Sequence, residues 1–159
     1  MYKPTEIERN NCIRIVKEIL KCENDSECEQ YANKILNMSY SIGGDYSEKT
    51  ITSIAEVLLE KNADLFLNKL KKAIELCNVE LEKRRKGLPG EGTVEQLEEI
   101  ILPELYGLQK DVSAKRFPPK ESRYIYSFAC AFTVWGWNMQ KPSELFILLK
   151  ELNDDYKKI

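Results

Sequence analysis

The chain has 159 residues, 43% hydrophobic and 31% charged, with 24 Lys+Arg against 26 Asp+Glu. Its seven Gly and six Pro are too few for a turn-rich sandwich or a low-complexity chain. The absence of His excludes Ser-His-Asp and Cys-His nucleophile systems, zinc sites with His ligands and the imidazole pH switch, and a formal net charge of −2 gives no global pull toward nucleic acid.

Thr5 and Glu8 have the spacing of a capping box, and Cys12, Ile15, Val16, Ile19 and Leu20 behind them share one helical face. The segment CENDSECE ends that helix and starts a second, with Asp25 or Ser26 as N-cap and Cys28, Tyr31, Ala32, Ile35 and Leu36 as its stripe. Gly43 and Gly44 break the chain. Ser47 is the expected cap of a third helix, whose inner face is Ile51, Ile54, Ala55 and Leu58. Asn62 is read as the cap of a fourth, running to Gly87 on a stripe of Phe66, Leu70, Ala73, Ile74, Cys77 and Leu81. Lys83, Arg84, Arg85 and Lys86 fill its last turn, where the macrodipole favours cations, and Gly87 suits the left-handed residue past the end.

GLPGEG, residues 87–92, reads as a linker. Thr93 with Gln96 opens a capped helix carrying Val94, Leu97, Ile100 and Ile101, which Pro103 should kink or shorten, and Gly107 to Pro119 reads as a loop. Between Arg123 and Lys141 no residue is charged. At 17 residues, thinned by Ser127, Thr133, Asn138 and Gln140, this stretch suits a helix crossing a globular core better than a bilayer. Its burial predicts that Phe128→Ala or Phe132→Ala would each cost about 3–5 kcal/mol. Pro142 then fits the first turn of a last helix with the stripe Leu145, Leu148, Leu149, Leu152 and Tyr156. The expected fold is all-α: a compact bundle of about seven helices around an apolar central helix near residues 121–138. It forms one domain over 1–159, with lobes 1–87 and 93–159 as the alternative division.

The five cysteines are odd in number and widely spaced, and charges interrupt the first twenty residues too often for a secretory leader. Reduced thiols in a cytoplasmic protein are therefore expected. The C-x5-C of Cys22 and Cys28 does not fit a zinc half-site, and neither a metal nor a cofactor is expected. Phosphate-loop, dinucleotide, H-E-x-x-H and EF-hand patterns are all missing. Glu95, Glu98 and Glu99 alternate with an apolar stripe, as a solvated face does.

Two charge clusters remain. Glu23, Asp25, Glu27 and Glu29 put four carboxylates within seven residues, and residues 1–60 hold 11 acidic against 7 basic side chains. Acids at a helix start complement its dipole, but so dense a patch also suits the basic cleft of a protein partner, with Tyr40 or Tyr46 as aromatic anchors. The counter-feature is Lys83, Arg84, Arg85 and Lys86, with Lys110, Lys115, Arg116, Lys120 and Arg123 in or beside the later loop. The function expected is that of a non-enzymatic protein-binding module, an acidic inhibitor or immunity-type protein that neutralises a cognate bacterial toxin. Its alternatives are a nucleic-acid-associated helical protein using the basic cluster and an enzyme built on carboxylates.

Overall fold

A computed structural model describes residues 3–159. Among them are six α-helices and no strand: α1 (Glu6–Ile19), α2 (Asp25–Ser41), α3 (Glu48–Arg85), α4 (Leu102–Ser113), α5 (Tyr126–Thr133) and α6 (Glu144–Asp155). None of these helices is long and apolar enough to cross a membrane.

The chain divides into two units, one of residues 3–62 with Lys158 and Ile159 and the other of residues 63–157. In the first, Thr5 Oγ1 accepts from Glu8 N and Glu8 Oε1 from Thr5 N, completing the capping box of α1. Asn24, rather than Asp25 or Ser26, caps α2: its Oδ1 accepts from Glu27 N at 2.8 Å. Cys12, Ile15 and Val16 pack with Cys28, Ala32 and Ile35 and with Ile51, Ala55 and Leu58, all buried. The Cys12 thiol donates to Ala32 O, tying α1 to α2.

Asn62 caps nothing. α3 runs unbroken for 38 residues, merging the expected third and fourth helices. The physical reason is that residues 48–85 contain no Gly or Pro, and Asn in a helix interior costs only about 0.7 kcal/mol relative to Ala. The predicted end holds: Gly87 has φ +77°, its N–H reaches Arg84 O, and Leu88 N reaches Lys83 O, closing a Schellman motif.

In the second unit Phe66, Leu70, Cys77, Leu97, Ile101, Leu105, Ile125, Leu149 and Leu152 are fully buried. The Phe66 and Tyr156 rings stack at 5.6 Å between centroids. Thr93 and Gln96 exchange backbone and side-chain hydrogen bonds of 3.1 Å, as their spacing predicts. The loop expected over 107–119 is instead largely helix. α4 extends to Ser113, burying Leu105, Leu108 and Val112. Pro103 does not end it, because Gln96–Ile101 form a π-helical turn in which Leu102 N bonds Leu97 O, so Pro103 falls in the first turn of α4.

The apolar segment corrects the expectation of a central helix. Only the eight residues of α5 are helical, and only Ser127 and Ala131 among them are buried. Small side chains face inward, while Tyr126 and Phe132 stand about half exposed. Beyond α5, Gly136 takes φ +65° and turns the chain so that Trp137, 5% exposed, returns to the interior. α6 follows as expected, with its whole stripe buried, though Ser143 rather than Pro142 starts it: Ser143 Oγ accepts from Phe146 N at 3.2 Å.

Candidate binding surfaces

The acidic corner forms where α1 gives way to α2. Lys21, with φ +51°, turns the chain out of α1, and a disulfide joins Cys22 to Cys28 with 5.6 Å between their Cα atoms. This corrects the expectation of reduced thiols. The turn through Asn24 brings Cys22, in the link after α1, against buried Cys28 at the start of α2, a proximity that counting cysteines does not reveal. Glu23, Asp25 and Glu29 are exposed and Glu27 is half-buried. Asp25 meets Lys17 at 3.6 Å across solvent, and among the described residues Glu23, Glu27 and Glu29 have no ion-pair partner. Glu27 also lines a broad polar cleft of about 680 Å3 with Asn24, Gln30, Tyr31, Lys34 and Lys158.

The tyrosines lie elsewhere. Tyr40, at the far end of α2, is about 22 Å along the helix axis from Asp25 at 1.5 Å rise per residue. It is exposed and shares a cavity of about 270 Å3 with Tyr46, Lys3, Arg9 and Asn33. Tyr46 is not the exposed anchor expected, being only 7% exposed. The reason is the turn that carries it: Ser39 Oγ donates to Asp45 O, and Asp45 accepts from Ser47 N at 2.9 Å and Thr50 Oγ1 at 2.6 Å, folding Tyr46 inward. Those hydrogen bonds, Thr50 first, hold the Asp45 carboxyl below its ordinary range.

The basic cluster is largely neutralised in place. Arg84 pairs with Glu80 and Arg85 with Glu98, each at 2.5 Å; Lys83 meets Glu80 at 3.4 Å and Lys86 meets Glu82 at 3.8 Å. Arg116 lies 3.4 Å from Asp111, and Lys115, exposed, occupies a left-handed position with φ +55°. Arg123, expected on a cationic loop face, is buried: it donates to Pro118 O at 2.9 Å and lies 5.2 Å from the centre of the Phe117 ring.

Sequence reasoning passed over a third surface. Phe128, Phe132, Met139, Pro142, Phe146 and Ile147 line an apolar groove of about 180 Å3 with Lys150 at its edge. Phe132, Met139 and Ile147 are 42–58% exposed. A segment that reads as interior because it lacks charge supplies much of this outer face. The only available signal was its short length between Arg123 and Gly136.

Nucleophilic sulfur is poorly placed. Burial pushes the Cys12 thiol up to about 11 and the Cys77 thiol up to about 12, keeping both protonated at neutral pH. Among the described residues no three His, Cys, Asp or Glu side chains are grouped to hold a metal ion. Compared with protein-family models, with curated proteins and with solved structures, the chain matches none.

Proposed function

We propose that this chain is a non-enzymatic protein-binding module, an acidic inhibitor of the immunity type that neutralises a basic toxin domain. The observation that carries this reading is the α1–α2 corner, where Glu23, Asp25, Glu27 and Glu29 are held by a disulfide and a helix cap, three of them without a cation partner among the described residues. A backbone that is fixed before the encounter loses little conformational entropy on binding, and the carboxylates it carries steer a cationic partner from a distance. The exposed groove of Phe132, Met139 and Ile147 offers apolar area of the kind that anchors an interface. The carboxylate partners of Lys83, Arg84, Arg85, Lys86 and Arg116 weigh against phosphate binding, because each contact would have to break an ion pair. The Cys22–Cys28 bridge favours an oxidising compartment for the encounter over the cytoplasm.

The test immobilises the full chain and a variant with Glu23, Asp25, Glu27 and Glu29 all changed to Lys, and passes extract of the source cell over both at low salt. A basic protein retained by the unaltered chain, released by salt and lost from a variant that still unfolds cooperatively, supports the reading. Equal retention of every protein by the two removes the acidic corner from it.

A further inference from the structure

The apolar groove of the second unit draws Phe128, Phe132 and Met139 from the uncharged run 124–140 and Phe146 and Ile147 from α6. Its floor is already formed: Phe146, 4% exposed, meets Phe128 at 5.8 Å and Trp137 at 5.6 Å. Val134 closes α5 two residues beyond Phe132. At 75% exposed, it shows more of itself to water than any other large apolar side chain among the described residues. One short stretch of chain therefore carries both a projecting apolar side chain and an apolar groove.

A small ligand suits this groove poorly. Its volume of about 180 Å3 falls below the roughly 300–1,000 Å3 of ligand sites. Its one charged lining group, Lys150, is spent on Asp154 at 2.9 Å, so nothing polar converges to orient a guest. A strongly charged partner finds no counter-charge in the run 124–140. A second copy of the chain is the occupant that this neutrality favours. A two-fold contact sets identical surfaces face to face, so any charge at its centre meets its own kind. In a chain that is 31% charged, the 17 residues between Arg123 and Lys141 are the longest run where that repulsion is absent. We propose that this face joins two copies of the chain about a two-fold axis, Val134 of each entering the groove of the other.

The contact does not depend on what the acidic corner binds. Its composition is that of an interface centre, where aromatic residues and Met are enriched and charges depleted. Phe132, Val134, Met139 and Ile147, 42–75% exposed, leave water when the two copies meet, and burial of their apolar surface drives the association. Four such side chains per copy make a contact at the small end of specific interfaces, for which a Kd of about 1–100 µM is expected. Because no charge takes part, the dimer holds or tightens as salt rises. An acidic corner docked on a basic cluster would do the opposite.

The test is sedimentation equilibrium of the full chain from about 5 to 500 µM, at about 0.05 and 0.5 M salt. The expected result is a reversible monomer–dimer equilibrium at both salt concentrations, with no covalent dimer on a non-reducing gel. Val134→Asp should weaken it about tenfold or more, because an unpaired carboxylate is costly to bury in an apolar groove. Val134 lies mostly in water, so this variant should keep its fold. Should it fail to fold, Met139→Asp, at a groove position 58% exposed, replaces it with the same expectation. Monomer alone at about 500 µM overturns the proposal and leaves the groove to a different protein. A dimer that the folded variant retains, one that salt dissolves, or one held by a disulfide overturns it equally.

Discussion

Glu104 of α4 caps α5 at Tyr126, receiving that residue's backbone N–H on Oε2 at 2.7 Å, while its Oε1 receives the N–H of Ser127 at 2.8 Å. Asn153 of α6 takes the preceding amide, Ile125 N, at 2.8 Å. α5 has no capping side chain of its own, so its first amides are satisfied by two other helices. Glu104→Ala should lower stability by about 1–2 kcal/mol, the worth of a charged cap. Chemical denaturation measures this, and a loss below a few tenths would mean that water caps α5 equally well.

The bridge between Cys22 and Cys28 closes a short loop, for which chain entropy predicts about 2 kcal/mol. Reduction, or Cys22→Ser with Cys28→Ser, should lower the unfolding midpoint accordingly, with α1 and α2 still helical by circular dichroism. Equal midpoints with and without reductant would show that the bridge does not constrain the chain in solution.

Lys115 follows α4 in the left-handed conformation, where its N–H reaches Val112 O and Arg116 N reaches Asp111 O. A Cβ is strained there, and glycine is not. Lys115→Gly should therefore stabilise the protein by about 0.5–1 kcal/mol, which thermal unfolding would register as a higher Tm.

The buried thiols give a pH dependence of defined sign. Their folded pKa values are raised from 9.0, to about 11 for Cys12 and about 12 for Cys77, so the folded state favours the neutral thiol. That contribution is fully present below pH 9.0 and is lost as pH rises through 11 to 12. Native protein at pH 8 should expose only half-buried Cys130 to a thiol reagent, with Cys12 and Cys77 reacting on unfolding. Three fast thiols in the native protein would contradict the packing.

Phe146 and Phe132 should separate sharply. Phe146 is 4% exposed and meets Phe128 at 5.8 Å and Trp137 at 5.6 Å, whereas Phe132 is 47% exposed. Phe146→Ala should cost about 3–5 kcal/mol. Phe132→Ala should cost about 1 kcal/mol, well below the sequence-based expectation. Equal losses in paired denaturation curves would return α5 to the centre of the core.

What the sequence made legible was local. Thr5 with Glu8, Thr93 with Gln96, and Gly87 behind Lys83–Lys86 act within four residues of themselves, and their bonds are those their spacing implies. The stripes of α1, α2 and α6 were legible for the same reason, since one period decides which face is buried. The rest depends on residues far apart in the chain. Glu104 and Asn153 support α5 from 22 and 28 residues away, and nothing near Tyr126 announces them. Arg84 looked like one of four surface cations until Glu80, Leu88 and Gly90 enclosed it. Uncharged composition suggested burial for Phe132, but composition does not say which side of a two-turn helix faces out.

The π-helical turn over Gln96–Ile101 has an evolutionary corollary. Wide turns of this kind arise when one residue is added to a regular helix and the strain is absorbed locally. Pro103 lies directly after it and brings no amide to the ladder, so the hydrogen-bond register is already interrupted there. Related chains should accordingly differ in length by single-residue insertions or deletions here more readily than within α3, where a one-residue change would rotate every downstream side chain by about 100°.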